Sequence, residues 1–171
     1  MNVPVTVNGV TVEIPVDDKV IQEALKKKQK KTGYERAKVG EYYYKDGSRP
    51  EFSKEQESIS CYDDGYYSSA NYYSDKNVSD NNIRADRLMR KLRRFAAEHG
   101  GAIAPYAPCG YSLYFNRITE KLACAPDICA TAGAIRFVNV KSAETAITEF
   151  KDELIWYFTE YDPMPDGWWH N

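Results

Sequence analysis

"IRADRLMRKLRRFAA", residues 83–97, decides how this chain is read. Six of its fifteen residues are Arg or Lys. Ile83, Leu88, Met89, Leu92, Phe95 and Ala96 recur at helical spacing and form one apolar stripe. The predicted helix runs from Asp80 to Glu98, with Ser79 as its cap and Gly100-Gly101 as its stop. Arg84, Arg87, Lys91 and Arg94 share one side at spacings of 3, 4 and 3, and Arg90 and Arg93 flank the stripe. Asp86 is the one acid in the stretch, so intrahelical pairing leaves most cations without a partner. A charge run on an amphipathic helix is usually its solvated face. Five arginines are also a good set for phosphate or carboxylate forks. The two readings make different demands on the rest of the chain.

Outward from the helix, the flanking segment is of the opposite sign. Glu51 to Asp75 carries six acids and one lysine, a local charge of −5. Residues 38–76 also hold eight of the 14 tyrosines. Tyr42–Tyr44 and Ser58–Tyr62 read as strands, Asp46-Gly47 and Asp64-Gly65 as turns. The segment reads as a strand pair with a long acidic loop, because aromatics are too dense for disorder. That loop is an intramolecular alternative for the helix: it can lie on the arginines. Tyr66, Tyr67, Tyr72 and Tyr73 are then candidates for an aromatic and acidic surface.

At the N-terminus, "VPVTVNGVTVEIPV" places Asn8-Gly9 between two alternating runs, which predicts a two-residue hairpin. The register pairs Val7 with Val10, Val5 with Val12 and Val3 with Ile14. Asp17 or Asp18 caps a short helix with Val20, Ile21, Ala24 and Leu25 as its stripe. A second basic run follows at Lys26, Lys27, Lys28, Lys30 and Lys31, and Thr32-Gly33 ends it. Beyond the basic helix, "YSLYFNR", "KLACA" and "AIRFVNV" read as three strands. "SAETAITEFKDELIWYF" reads as a final helix capped by Ser142, with Ile147, Phe150, Leu154 and Phe158 on one face. No internal repeat is visible. The fold class is α+β, with antiparallel strands, an N-terminal hairpin, a central basic helix and a C-terminal helix. The division is residues 1–37, hairpin and short helix, then 38–171, an α+β core with the Tyr/Asp-rich segment; one compact unit is the alternative.

The chain has 171 residues and a formal charge of −2, so a basic field must come from local patches. It contains no apolar run near 18 residues, and "MNVPVTVNG" lacks the features of a secretory signal. Cys61, Cys109, Cys124 and Cys129 are expected as free thiols. The C-x4-C spacing of the last two falls outside most zinc knuckles. His99 and His170 have no partner at a catalytic spacing, and no phosphate loop, dinucleotide motif or nucleophile elbow occurs. The carboxylate pairs Asp17-Asp18, Asp63-Asp64 and Asp152-Glu153 read as caps and solvated charge. No catalytic residue, metal or cofactor is expected.

"VNGVTVEIP", "KKTGYERAKVGEYYY", "ADRLMRKLRRFAAEHG" and "GAIRFVNVKSAETAITEFKDELIWYF" together resemble a family of small hypothetical proteins of phages and prophages in Firmicutes. The resemblance covers most of the chain and departs in "CGYSLYFNRITEKLACAPDICATAGA". It implies a mobile-element accessory protein acting in the host cytoplasm. Small phage proteins of this kind include inhibitors of bacterial immunity, anti-CRISPR proteins among them. The partner so implied is a defence nuclease, a type II CRISPR effector, together with its DNA or guide RNA and no membrane. The alternative is a DNA-binding accessory protein for phage replication, recombination or transcription.

Overall fold

The computed structural model describes residues 2–7, 10–15, 17–20, 32–47, 52–99, 110–127 and 134–164. The chain divides into two units, Met1–Thr32 and Gly33–Asn171. The class is α+β, with helices and, among the described residues, three two-stranded antiparallel sheets.

In the first unit β1 (Asn2–Val7) pairs with β2 (Val10–Pro15) in the expected register, Val3 with Ile14, Val5 with Val12 and Val7 with Val10. Thr6 and Thr11 lie opposite each other, exposed, with hydroxyl oxygens 3.0 Å apart. Asp17 is the cap: its Oδ1 accepts from the Lys19 N–H at 2.9 Å, and residues 18–20 are helical. Val20, expected on an apolar stripe, is exposed.

The second unit repeats one backbone plan twice, which the sequence reading missed. In the first module β3 (Tyr42–Asp46) and β4 (Phe52–Gln56) form a hairpin. Helix α1 (Cys61–Ser68) follows, then Tyr73 exchanges two backbone hydrogen bonds with Tyr44 of β3. Two residues later Asp75 caps α2 (Lys76–Glu98). In the second module β5 (Gly110–Asn116) and β6 (Lys121–Asp127) form the hairpin. Phe137 exchanges the same pair of bonds with Tyr111 of β5, and two residues later Asn139 caps α3 (Val140–Glu149). A side-chain carboxylate or amide at that position accepts from the first free helical N–H groups, so each bridge is followed at once by a helix.

Several expected boundaries move for local reasons. Ser58–Tyr62 is not a strand. Ser60 and Asp63 form a reciprocal capping box that starts α1 and absorbs Asp64-Gly65, expected as a turn. Helix α2 starts three residues before the expected Ser79 cap, because Asp75 already accepts from Asn77 and Val78 at 2.8 and 3.0 Å. Ser79 lies buried inside the helix. "AIRFVNV" contributes a single bridging residue rather than a strand. Ser142 is not the cap; its N–H donates to the Asn139 side chain, and its hydroxyl donates to the His99 carbonyl at 2.8 Å. The final helix is broken at Phe150 into α3 and α4 (Lys151–Thr159). There the Phe150 ring meets Phe95 of α2 edge-on, with centroids 5.6 Å apart.

The apolar stripe of α2 serves both modules. Val78 and Ile83 pack with Tyr73, Tyr34 and Tyr44 of the first. Leu88, Leu92, Phe95 and Ala96 pack with Phe137, Ala143, Ala146 and Leu154 of the second. Ala143 and Ala146 are fully buried, where small side chains let α3 approach closely. Gly33 stands at a positive φ of 84°, and a Cβ there would lie 2.8 Å from Val78 Cγ2.

Candidate functional site

The basic helix was the candidate interface, and the structure divides its cations into two groups. Arg84 Nε donates to Glu153 of α4 at 2.8 Å, and its guanidinium lies 3.9 Å from the centre of the Trp156 ring. Arg87 and Arg90 both donate to Asp46 at the end of β3, one to each carboxylate oxygen. Burial pushes the Asp46 carboxyl up, but the two guanidiniums outweigh it and hold the group below its ordinary value. These three arginines tie α2 to the first hairpin and to the last helix.

The second group faces water. Lys91, Arg93 and Arg94 are exposed. Arg94 lies 3.9 Å from Glu98, one turn on, with both side chains well exposed. Such a pair contributes little in water. Among the described residues, Lys91 and Arg93 form no ion pair. Lys26, Lys27, Lys28, Lys30 and Lys31, the second basic run, lie outside the described residues.

The intramolecular alternative put the acidic segment from Glu51 to Asp75 on the arginines; the partners the structure shows for Arg84, Arg87 and Arg90 are instead Glu153 and Asp46, both outside that segment. Its buried acids are used within the first module. Glu57 accepts from Arg36 Nε and Nη2 at 3.2 and 3.0 Å, from Tyr72 Oη at 2.7 Å and from the Ile59 N–H at 2.9 Å. Asp63 accepts from Tyr43 Oη at 2.7 Å, and from the backbone N–H and hydroxyl of both Ser58 and Ser60. Both carboxyls are held below the ordinary range, Glu57 chiefly by Arg36 and Asp63 chiefly by the Ser60 N–H and the Tyr43 hydroxyl. Burial, together with these carboxylates, pushes the Tyr43 and Tyr72 hydroxyls well up, so they stay donors. Asp64 pairs with Arg36 at 2.7 Å.

The proposed aromatic surface is corrected accordingly. Tyr72 and Tyr73 are core residues, 2% and 5% exposed. Tyr72 stacks on Tyr43 at 4.0 Å. Tyr66 is half-buried beneath the Lys45 ammonium, 3.7 Å from the ring centre, and Tyr67 alone of the four is exposed. A dense Tyr/Asp composition reports here on a hydrogen-bonded interior. One signal for it was legible, the S-x-x-D pattern from Ser60 to Asp63.

The other candidate groups have structural positions. His99 stacks on Phe95 at 3.8 Å and is 2.9 Å from its carbonyl through Nδ1. Cys61 is exposed, and burial pushes the Cys124 thiol up. Cys109, Cys129 and His170 lie outside the described residues. No cluster of three or more His, Cys, Asp or Glu able to hold a metal occurs among the described residues, and no helix among them is long and apolar enough to cross a membrane.

Comparison of the chain with protein-family models, curated proteins and solved structures found no match to any of the three. What the site can do is therefore argued from its own groups. Three outward cations on a helix fixed at both ends can grip phosphate or carboxylate without rearrangement of the backbone.

Proposed function

We propose that the chain is a non-enzymatic accessory protein of a mobile element that inhibits a host defence nuclease in the host cytoplasm. A type II CRISPR effector is the kind of target the family resemblance implies. The observation that supports a binding role is the division of the α2 cations. Arg84, Arg87 and Arg90 are consumed by Glu153 and Asp46, yet Lys91, Arg93 and Arg94 stay outward on the same rigid helix. An ordinary solvated face has no need of that anchoring, although it is compatible with it.

The test uses the triple variant Lys91→Glu, Arg93→Glu, Arg94→Glu. These side chains make no core contact, so each change should stay within about ±0.5 kcal/mol in stability. Wild-type protein is expected to block target cleavage by a purified guide-loaded type II effector, and the triple variant is expected to have lost most of that inhibition. Strong retardation of free DNA, with a log–log salt slope steeper by about one per phosphate contact than that of the triple variant, would favour a DNA-binding accessory protein instead. Equal behaviour of both proteins in both assays would reduce the helix to an ordinary wet face.

A further inference from the structure

The C-terminal end of α2 shows water a face made of cations and little else. Arg90, Lys91, Arg93 and Arg94 are exposed there, followed by the small Ala97. Residues three and four apart are neighbours on a helix surface, with Cβ atoms about 5–6 Å apart. Arg90 therefore adjoins Arg93 and Arg94, and Arg94 adjoins Lys91. Ala97 lies next to Arg93 and Arg94 and is too short to rise between them. No large apolar side chain is exposed anywhere on α2.

Each acid near this face counts against it. Asp46 is shared by Arg87 and Arg90, and Glu153 is held by Arg84. Glu98 lies 3.9 Å from Arg94, and Asp86 is exposed one turn before Arg90. Against the six cations from Arg84 to Arg94, these four acids leave two positive charges in excess. On β3, β4 and α3, which pack against α2, Lys45 is paired with Glu55, and the exposed Lys54 and Lys141 balance the exposed Glu144 and Glu149. The excess thus stands at Lys91 and Arg93, beside Arg94 and the half-used Arg90. A protein partner is normally anchored by aromatic or aliphatic side chains at the centre of its footprint. A sugar–phosphate backbone needs only donors and positive charge, and arginine supplies both as a planar fork. The buried stripe of α2 fixes these groups in advance, so little order is lost when they engage. Two excess charges on a chain of net charge −2 are too few to hold free nucleic acid tightly at physiological salt. They suit a backbone that another protein already holds.

We propose that Arg90, Lys91, Arg93 and Arg94 form a phosphodiester-binding face whose occupant is the backbone of the guide RNA held by the defence effector. This rests on the function proposed above and names what that site grips. Asp46 tempers the grip, because its carboxylate competes with a phosphate for the Arg90 guanidinium.

The experiment measures the affinity of the full chain for a purified type II effector with and without its guide RNA, and for the naked guide, across a salt series alongside thermal melting. Wild type is expected to bind the guide-loaded effector at least about tenfold more tightly than the guide-free one. Naked guide should bind only in the weak, non-specific range of about 10⁻⁴–10⁻⁶ M. The triple variant Lys91→Glu, Arg93→Glu, Arg94→Glu should melt like wild type and bind the loaded effector about 100-fold more weakly. Its log–log salt slope should be flatter by about two, at about 0.7 per phosphate contact on a single strand. Asp46→Asn should bind about 2–5-fold more tightly, a gain that no loss of folding can mimic. A control with the same change in net charge, Lys19→Glu, Arg117→Glu, Lys121→Glu, alters exposed side chains elsewhere and should bind like wild type. Equal affinity for loaded and guide-free effector overturns the phosphate face and leaves the inhibitor reading standing. So does a loss from the control as large as that from the triple variant, or no gain from Asp46→Asn. Binding to naked guide as tight as to the loaded effector overturns the proposal in favour of a free nucleic-acid binder. Absence of binding to either form of the effector overturns the inhibitor reading as well.

Discussion

The two hairpin–helix modules of the second unit share a backbone plan and fill it with different chemistry. In each, one aromatic residue bridges the first strand of the hairpin, Tyr73 to Tyr44 and Phe137 to Tyr111. In each, an Asx cap follows two residues later. In each, the residue before the bridge is buried and reaches a carboxylate-bearing residue at the end of the second strand or just past it. Tyr72 donates to the Glu57 carboxylate, while Arg136 donates to the Asp127 carbonyl and lies 3.7 Å from its carboxylate. The interiors then diverge. The first module is filled by Tyr43, Tyr72, Tyr73, Glu57 and Asp63, the second by Phe137, Ala143, Ala146 and Leu154 against Leu88, Leu92 and Phe95. An aliphatic interior gains from every methylene buried, whatever the direction of approach. A tyrosine–carboxylate interior gains little net from each bond and loses heavily when one is left unmade. The polar module is therefore the more exacting about geometry, and it is the one that holds a β-branched residue, Ile59, at a positive φ of 59°.

The largest effects are expected in the second module. Phe137→Ala or Leu92→Ala should cost about 3–5 and 2–5 kcal/mol, through lost burial and the cavity left behind. Urea denaturation at neutral pH measures this. A cost below about 1 kcal/mol at either site would mean that the aliphatic cluster is not the main core.

Next come Tyr43→Phe and Tyr72→Phe. Each removes one hydroxyl and little volume, and strands a buried carboxylate short of a donor, at about 1–3 kcal/mol. Tyr73→Phe, whose hydroxyl makes no hydrogen bond among the described residues, should be much milder, although burial pushes its phenol up to about 12. If all three changes cost the same, hydrogen bonding does not distinguish the modules.

The helix caps offer a closer test of the shared plan. Asp75→Ala and Asn139→Ala remove equivalent groups and should each cost about 1 kcal/mol. A large difference between them would show that the two bridges are not equivalent in energy.

The smallest effect concerns Asp46, which only the first module supplies to the basic helix. Its carboxyl is held low in the folded state, while an unfolded Asp titrates near about 3.9. A depressed folded value gives stability that is fully present above the unfolded value and is lost as pH falls through the folded one. Asp46→Asn should thus cost roughly 0.2–1 kcal/mol at pH 7, as partly exposed pairs do, and the cost should shrink as pH falls below the unfolded value. A cost that does not shrink on acidification would point to shape rather than charge.

By itself the sequence determined the elements whose signals are local. The N-terminal register followed from Asn-Gly between alternating runs, because a two-residue turn admits one pairing. The stripe on α2 followed from its period, and Ile83, Leu88, Leu92, Phe95 and Ala96 are all buried. The α+β class followed from both. What only the tertiary structure decided was how each polar group is used. Arg84, Arg87, Lys91 and Arg94 look alike along one helix face, yet two of them are consumed by Glu153 and Asp46, 69 and 41 residues away in the chain. Eight tyrosines and six acids look like a surface, yet Tyr43, Tyr72, Glu57 and Asp63 form an interior. The repeated plan stayed hidden for the same reason. A bridge needs only two backbone hydrogen bonds and any aromatic that fits, so Tyr73 and Phe137 fill equivalent places among neighbours with no resemblance in sequence. Burial and pairing of charge depend on what folds over a residue, and that is a property of long-range contacts, which no local pattern encodes.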